Sequence, residues 1–282
     1  MWVVIQRNLE VRWLAAVLGL GLSMTNLPNS AAEETSPGDS NVHRHDDRPL
    51  EYRTSTRQPK HLEVIARQLQ PLLGSRYFIH ALQVENVVKV DLIIFPPDGD
   101  RNNWTIVTAG MSDKAMAVPA SLSSKERKEL ELAELTISLP SDAFSSDASG
   151  QVSKDQFREG SQAWIVGLMA ILAHLPHDYG TWLGTGHSIP NGDPPEPYTS
   201  YIPFSGVIIA PTSQWPEHYR RITTSSGPVN ILSVVPVYQD EMNFLLAKGF
   251  DALHAELEAF GYTQVMSESR PDIGKILSVL AQ

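Results

Sequence analysis

The sequence contains no cysteine, which removes disulfides, thiolate nucleophiles and thiolate zinc sites together and leaves the redox compartment unread. It is also short of positive charge: 22 Lys and Arg stand against 32 Asp and Glu, a net charge of -10. Without a basic stripe to displace counterions from phosphates, nucleic acid is disfavoured as a partner, and a neutral or basic protein fits better. The conspicuous apolar run, Trp13 to Met24, is too short to cross a bilayer, so no integral membrane span is expected. Glycine-rich phosphate loops of the GxGxxG or GxxxxGK[ST] kind, a GxSxG elbow and an HExxH pair are all missing, and with them the usual marks of nucleotide, serine-hydrolase or zinc-protease chemistry.

What is present is ordinary for a folded protein: 282 residues, 42% hydrophobic and 19% charged, enough for one large core or two modest ones. Arg7 and Arg12 precede the apolar run, and Ser30-Ala31-Ala32 supplies small residues, so residues 1–32 read as a signal peptide. Trp2-Val3-Val4-Ile5 and Glu10 are unusual in such a leader, and a start at Met24 would make the segment a mis-called extension. Residues 33–57 are polar with hardly an aliphatic side chain and are expected to stay disordered; His43, His45 and Asp46 fall there as solvated groups.

Order is expected from residue 58. Leu62, Ile65, Ala66, Leu69, Leu72 and Leu73 mark one face of a short helix that stops at Gly74. Val88, Val90, Leu92 and Ile94 alternate with Lys89 and Asp91, then Asp98-Gly99-Asp100 turns the chain into a second strand from Trp104 to Met111, a hairpin. Leu130, Leu132, Leu135, Ile137 and Leu139 suggest a strand with a bulge near Ala133, ending at Pro140. A long helix follows, with Phe157, Trp164, Ile165, Leu168, Ile171, Leu172 and Leu175 on one face and Pro176 as its end. After a Gly- and Pro-rich stretch come strands around Val207–Ala210 and Val229–Tyr238, then helical patterns from Asp240 to Gly249 and through Leu253, Leu257 and Phe260. Strands and helices interleave without the regularity of a doubly wound sheet. The expected fold is α+β: a mixed, largely antiparallel sheet with helices packed against it, one domain over residues 58–282.

The best raw material for catalysis is His174, His177, Asp178 and His187, three nitrogens and a carboxylate that would suit zinc. Their placement, partly at a helix end and partly on a loop, favours capping and surface roles, so a metal-dependent hydrolase is the alternative reading. No cofactor and no catalytic residue is assigned. Trp104 and Trp164 fit the core, whereas Trp182 lies on a loop where tryptophan serves as a binding anchor.

Several ordered segments resemble the suppressor-of-fused domain family. They are Asn103-Trp104-Thr105-Ile106-Val107-Thr108-Ala109-Gly110-Met111-Ser112-Asp113 with Met116; Arg127 with Glu129-Leu130; Leu175-Pro176; Gly186-His187-Ser188-Ile189-Pro190-Asn191-Gly192; Phe204-Ser205-Gly206; and Val235-Pro236-Val237-Tyr238 with Glu241. The resemblance implies a mixed domain without known catalytic residues. It further implies a regulator that clasps an extended peptide of its partner, as eukaryotic members do with the help of a further C-terminal domain not seen in this sequence. Stand-alone bacterial-type members are similar in length and have been proposed as immunity proteins of polymorphic toxin systems. The expectation is a non-catalytic, cytoplasmic protein that sequesters or neutralises a toxin or regulatory protein, exported instead if residues 1–32 are a true signal. Trp182, Gly186, His187, Ile189 and Asn191 are the candidate partner-binding residues. Gly110 is expected to need a special backbone angle, and Arg127 with Glu129 to form an ion pair or serve the fold.

Overall fold

The structure is a computed structural model and describes residues 2–5, 34–38, 41–45, 50, 52–99, 101–145 and 152–280. The leader pattern from Arg7 to Ala32, and Asp46 and Asp100, lie outside the described residues. In chain order the strands are β1 (Trp2–Ile5), β2 (Glu34–Thr35), β3 (Asn41–His45), β4 (Arg53–Thr54), β5 (Phe78–Glu85), β6 (Lys89–Phe95), β7 (Asn103–Ala109), β8 (Ala133–Pro140), β9 (Ser188–Pro190), β10 (Gly206–Pro211), β11 (Arg221–Thr224) and β12 (Gly227–Val237). The helices are α1 (Leu62–Leu73), α2 (Ser124–Leu130), α3 (Ala163–Tyr179), α4 (Gln239–Lys248), α5 (Phe250–Ala259) and α6 (Ile273–Leu280).

All the strands join one sheet in the order β2-β3-β1-β9-β10-β12-β8-β7-β6-β5-β4, with β11 beside the first half of β12. Pairing is antiparallel from β4 to β8 and from β9 to β12; β12 with β8 and β1 with its two neighbours are parallel. This is the mixed, mostly antiparallel α+β sheet that the pattern predicted. The β6–β7 hairpin closes where Asp98 and Arg101 exchange main-chain hydrogen bonds. Residues 33–57, expected as an unpaired tail, carry β2, β3 and β4. These strands are held by main-chain pairing, which composition does not report.

Helices cover both faces. Helix α3 packs on one, over Leu92, Ile94, Ile106, Leu135, Ile137, Val207 and Ile209. Helix α1 packs on the other, over Ile93, Phe95, Val107 and Ile231, and α4 to α6 cover Ile208, Ala210, Val235 and Val237. Double coverage explains why β6 is buried along its whole length. Lys89 and Asp91, which the alternation placed on a solvent face, are both buried and form an ion pair, with Leu82 N–H donating to the same carboxylate oxygen at 3.0 Å.

Three local expectations are corrected. Leu130 ends α2 rather than opening a strand, because Ser123 and Glu126 form a reciprocal capping box that starts a helix. Arg127 and Glu129, two residues apart on that helix, point to different faces and form no ion pair. Helix α3 begins at Ala163, not Phe157, and runs through Pro176 to Gly180, whose left-handed φ of 62° ends it. Gly110 bears out its expected constraint: φ is 116°, and a Cβ there would sit 1.9 Å from the Lys89 carbonyl oxygen.

Candidate functional site

The histidine cluster is taken apart by the fold. His174 Nδ1 lies 2.8 Å from the Ala170 carbonyl, one turn back on α3. His177 Nε2 lies 2.8 Å from the Met111 carbonyl, and Asp178 accepts from Tyr52 Oη at 2.7 Å and Asn86 Nδ2 at 2.9 Å. His177 and Asp178 thus tie other segments of the chain to the end of α3, while His174 bonds back within the helix. Burial lowers the pKa of both histidines, so they stand neutral. Among the described residues no group of three His, Cys, Asp or Glu converges as a metal site.

Past Gly180 the chain folds back along the sheet. The Trp182 ring stands edge-on to His187 with centroids 4.4 Å apart at 79°. His187 Nδ1 accepts from Gly184 N–H at 3.2 Å, which places its proton on Nε2, and burial pushes its pKa down to about 3. Gly186 N–H reaches the Ile209 carbonyl, Ile209 N–H the His187 carbonyl, and Asn191 N–H the Ser205 carbonyl, each at 2.8 Å. These bonds start β9 and anchor it to β10. Asn191 also bonds Glu196 in both directions, through Nδ2 and through its carbonyl, holding the loop beyond Gly192. Of the five residues proposed to meet a partner, His187, Ile189 and Asn191 are therefore buried, and Trp182 and Gly186 are half-buried. Together they set the position of β9 rather than present a patch of side chains. Tyr201, 60% exposed with its hydroxyl on the Ser161 carbonyl, is the outward aromatic nearby.

Residues of an antiparallel strand alternate between exchanging both hydrogen bonds with the facing residue and turning their main-chain groups away. With His187 and Asn191 bonded toward β10, Ile189 faces β10 as well, while Ser188 and Pro190 turn to the other side. There β1 lies parallel, Trp2 opposite Ser188, and β3 flanks β1 in register from Trp2 with Val42 to Ile5 with His45. Pro190, which has no N–H to give, suits the margin of a sheet. An Arg44–Asp193 ion pair, both partners 41% exposed, links β3 to the loop after β9. The result is a slot between β3 and β9 that holds one strand, here the backbone of Trp2–Ile5.

The remaining buried charges are structural nodes. Glu134 accepts from Thr108 Oγ1 and Ser112 Oγ at 2.6 Å and from the Gly110 and Ser112 amides at 2.9 Å. Burial pushes its carboxyl up against the pull of the donors, so its pKa stands above the usual carboxylate range. Glu241 accepts from the Arg270 guanidinium and the Tyr238 and Ile273 amides, with Arg270 lying over the Phe204 and Tyr238 rings. Glu134 and Arg270 were not foreseen. Glu134 carried a signal, a charged residue inside an apolar strand; Arg270, in a polar loop, carried none.

Fold and site together define a mixed α+β domain whose buried ionic groups serve packing and whose sheet margin receives a strand. The family description "Suppressor of fused protein (SUFU)" matches residues 86–271, and the chain belongs to that family. Solved structures with the same fold include a SUFU homolog from Neisseria gonorrhoeae, 13% identical with a TM-score of 0.52, covering 75% of this chain and 95% of that one. Drosophila Suppressor of Fused is 15% identical with a TM-score of 0.51, covering 82% of this chain and 54% of that one. No curated protein matches the sequence. Among the described residues no helix is long and apolar enough to cross a membrane.

Proposed function

We propose that the chain is a protein-binding module whose binding site is non-catalytic: the slot between β3 and β9 takes an extended segment of its partner. The observation that carries this reading is the pairing of Trp2–Ile5 with β3 on one side and Ser188 on the other. Strand addition needs such a margin: main-chain groups supply affinity and flanking pockets supply selectivity. Trp182, Gly186, His187, Ile189 and Asn191 act by fixing β9 in place. Trp2–Ile5 belongs to the segment with the leader pattern, and its departure would open the slot. A net charge of -10 favours a neutral or basic partner, with a toxin neutralised by this chain as one such class.

Affinity capture with a chain beginning at Glu34, which leaves the slot open, followed by mass spectrometry, tests the reading. A partner bound through the slot is displaced by excess peptide carrying the Trp2–Ile5 sequence. It is also weakened by Ser188→Pro, which removes the amide facing the slot while leaving the Ile189 pairing to β10. Capture indifferent to both would sink the slot as the binding site.

A further inference from the structure

A second constellation lies away from the slot, where the start of α1 meets the β11–β12 turn. Thr224 pairs with Gly227, so Ser225 and Ser226 form a two-residue hairpin turn. Thr224 Oγ1 accepts from Ser226 N–H at 3.2 Å and donates to the Gly227 carbonyl at 2.8 Å, which stiffens that turn. Gln68 on α1 bonds both the amide and the carbonyl of Thr223, clamping the helix to β11. Two side chains ahead of α1 then meet the exposed Ser226: Lys60 Nζ lies 2.8 Å and His61 Nε2 2.9 Å from its Oγ. An ammonium can only donate, so Ser226 Oγ accepts from Lys60 and its own proton is left for the imidazole.

We propose that Ser226 is a nucleophilic serine, with His61 as its general base, that takes an acyl group from an activated ester. The hydroxyl proton passes to His61 Nε2 as Oγ bonds to the acyl carbon, and the leaving alkoxide departs with that proton. Water attacking the acyl-serine, with the same base, returns the free serine. The three groups play the parts such a step requires. The Lys60 charge stabilises the developing alkoxide. His61, almost wholly buried beneath Ser226, is held neutral by that burial and so is ready to accept a proton. The nearby Asp113 carboxylate favours the imidazolium that forms, and Asp113 Oδ2 fixes the Lys60 backbone by accepting its N–H at 2.8 Å. The charged groups facing His61 are Asp113, which raises its pKa, and Lys60, which lowers it.

The full chain, treated with a fluorophosphonate probe and digested, supplies its own control in Ser225, exposed on the same turn but without a base. The expected adduct is on Ser226 and not on Ser225, forms faster as pH rises through the His61 titration, and disappears in Ser226→Ala. His61→Gln is expected to slow labelling by about a hundredfold, the scale of general-base assistance. Should that variant lose its circular dichroism signature, Lys60→Met, at an exposed position, carries the test through the lost charge and is likewise expected to slow labelling. Absence of an adduct on Ser226, equal labelling of Ser225 and Ser226, or a rate unchanged in the folded variants would overturn the proposal.

Discussion

Glu134 gives the sharpest test of how this fold is held together. In Glu134→Ala the Thr108 and Ser112 hydroxyls can rotate toward other acceptors, but the Gly110 and Ser112 amides cannot. Two fixed buried donors left unsatisfied cost about 1–3 kcal/mol each, so with the space vacated by the side chain the loss is about 4 kcal/mol. That is a large part of the roughly 5–15 kcal/mol of a typical domain. Glu134→Gln is milder. With its oxygen toward Gly110 and Ser112 it keeps three donors, while its NH2 meets Thr108 Oγ1, which already accepts Leu135 N–H at 2.8 Å and loses the acceptor for its own proton. Orphaning one buried hydroxyl and re-forming the remaining bonds on an amide costs about 2 kcal/mol. Urea unfolding followed by tryptophan fluorescence, with Trp104 in the core as reporter, reads both variants. The reasoning is refuted if both lie within about 1 kcal/mol of the parent, or if the amide costs more than the alanine.

The buried Lys89–Asp91 pair makes a second prediction. Lys89→Met strands a buried carboxylate whose pKa burial already raises, at a cost of about 3–5 kcal/mol, whereas Lys89→Met/Asp91→Asn recovers most of it because the neutral amide still accepts Leu82 N–H. Thermal unfolding of single and double variants checks this, and a double variant no more stable than the single contradicts it. A third prediction concerns acid. Unfolded, His187 binds a proton near pH 6.5; folded, its pKa is about 3, so below 6.5 the unfolded state holds more protons and stability falls as pH falls. Between pH 6.5 and 5 that loss is about 2 kcal/mol from this ring. His174 and His177, also lowered by burial, act in the same direction. Urea midpoints across this range should shift less in His187→Asn than in the parent; an equal shift refutes the assignment.

The hairpin of β6 and β7 and the amphipathic α1 were legible in the sequence because period and punctuation agree there: Pro96-Pro97 and Asp98-Gly99 in the first, Gly74 in the second. Lys89 and Asp91 misled because alternation assumes one wet face, and whether a second layer covers a strand is decided by residues far along the chain. Leu130 misled because hydrophobic spacing of two and five residues fits both a strand and a helix end, and the Ser123–Glu126 cap settles it locally. Pro176 misled because a proline inside a buried helix loses one hydrogen bond that packing outweighs. At the candidate site, spacing picked out the loop from Trp182 to Asn191, but not that its side chains point inward. That depends on the bonds from Gly186, Ile209 and Asn191 which make β9, and on β1 pairing across it from nearly two hundred residues away.

The partner slot proposed between β3 and β9 takes one extended strand. Binding of a soluble peptide containing the Trp2–Ile5 sequence, measured by calorimetry, tests it most directly when compared between the full chain and a chain beginning at Glu34. Hydrogen exchange at the Ser188 amide serves as the local readout. The shortened chain should bind the peptide saturably, with Ser188 exchange slowed on binding, while the full chain, its slot occupied, should not. A folded shortened chain that ignores the peptide, or one that binds it without protecting Ser188, would contradict the account.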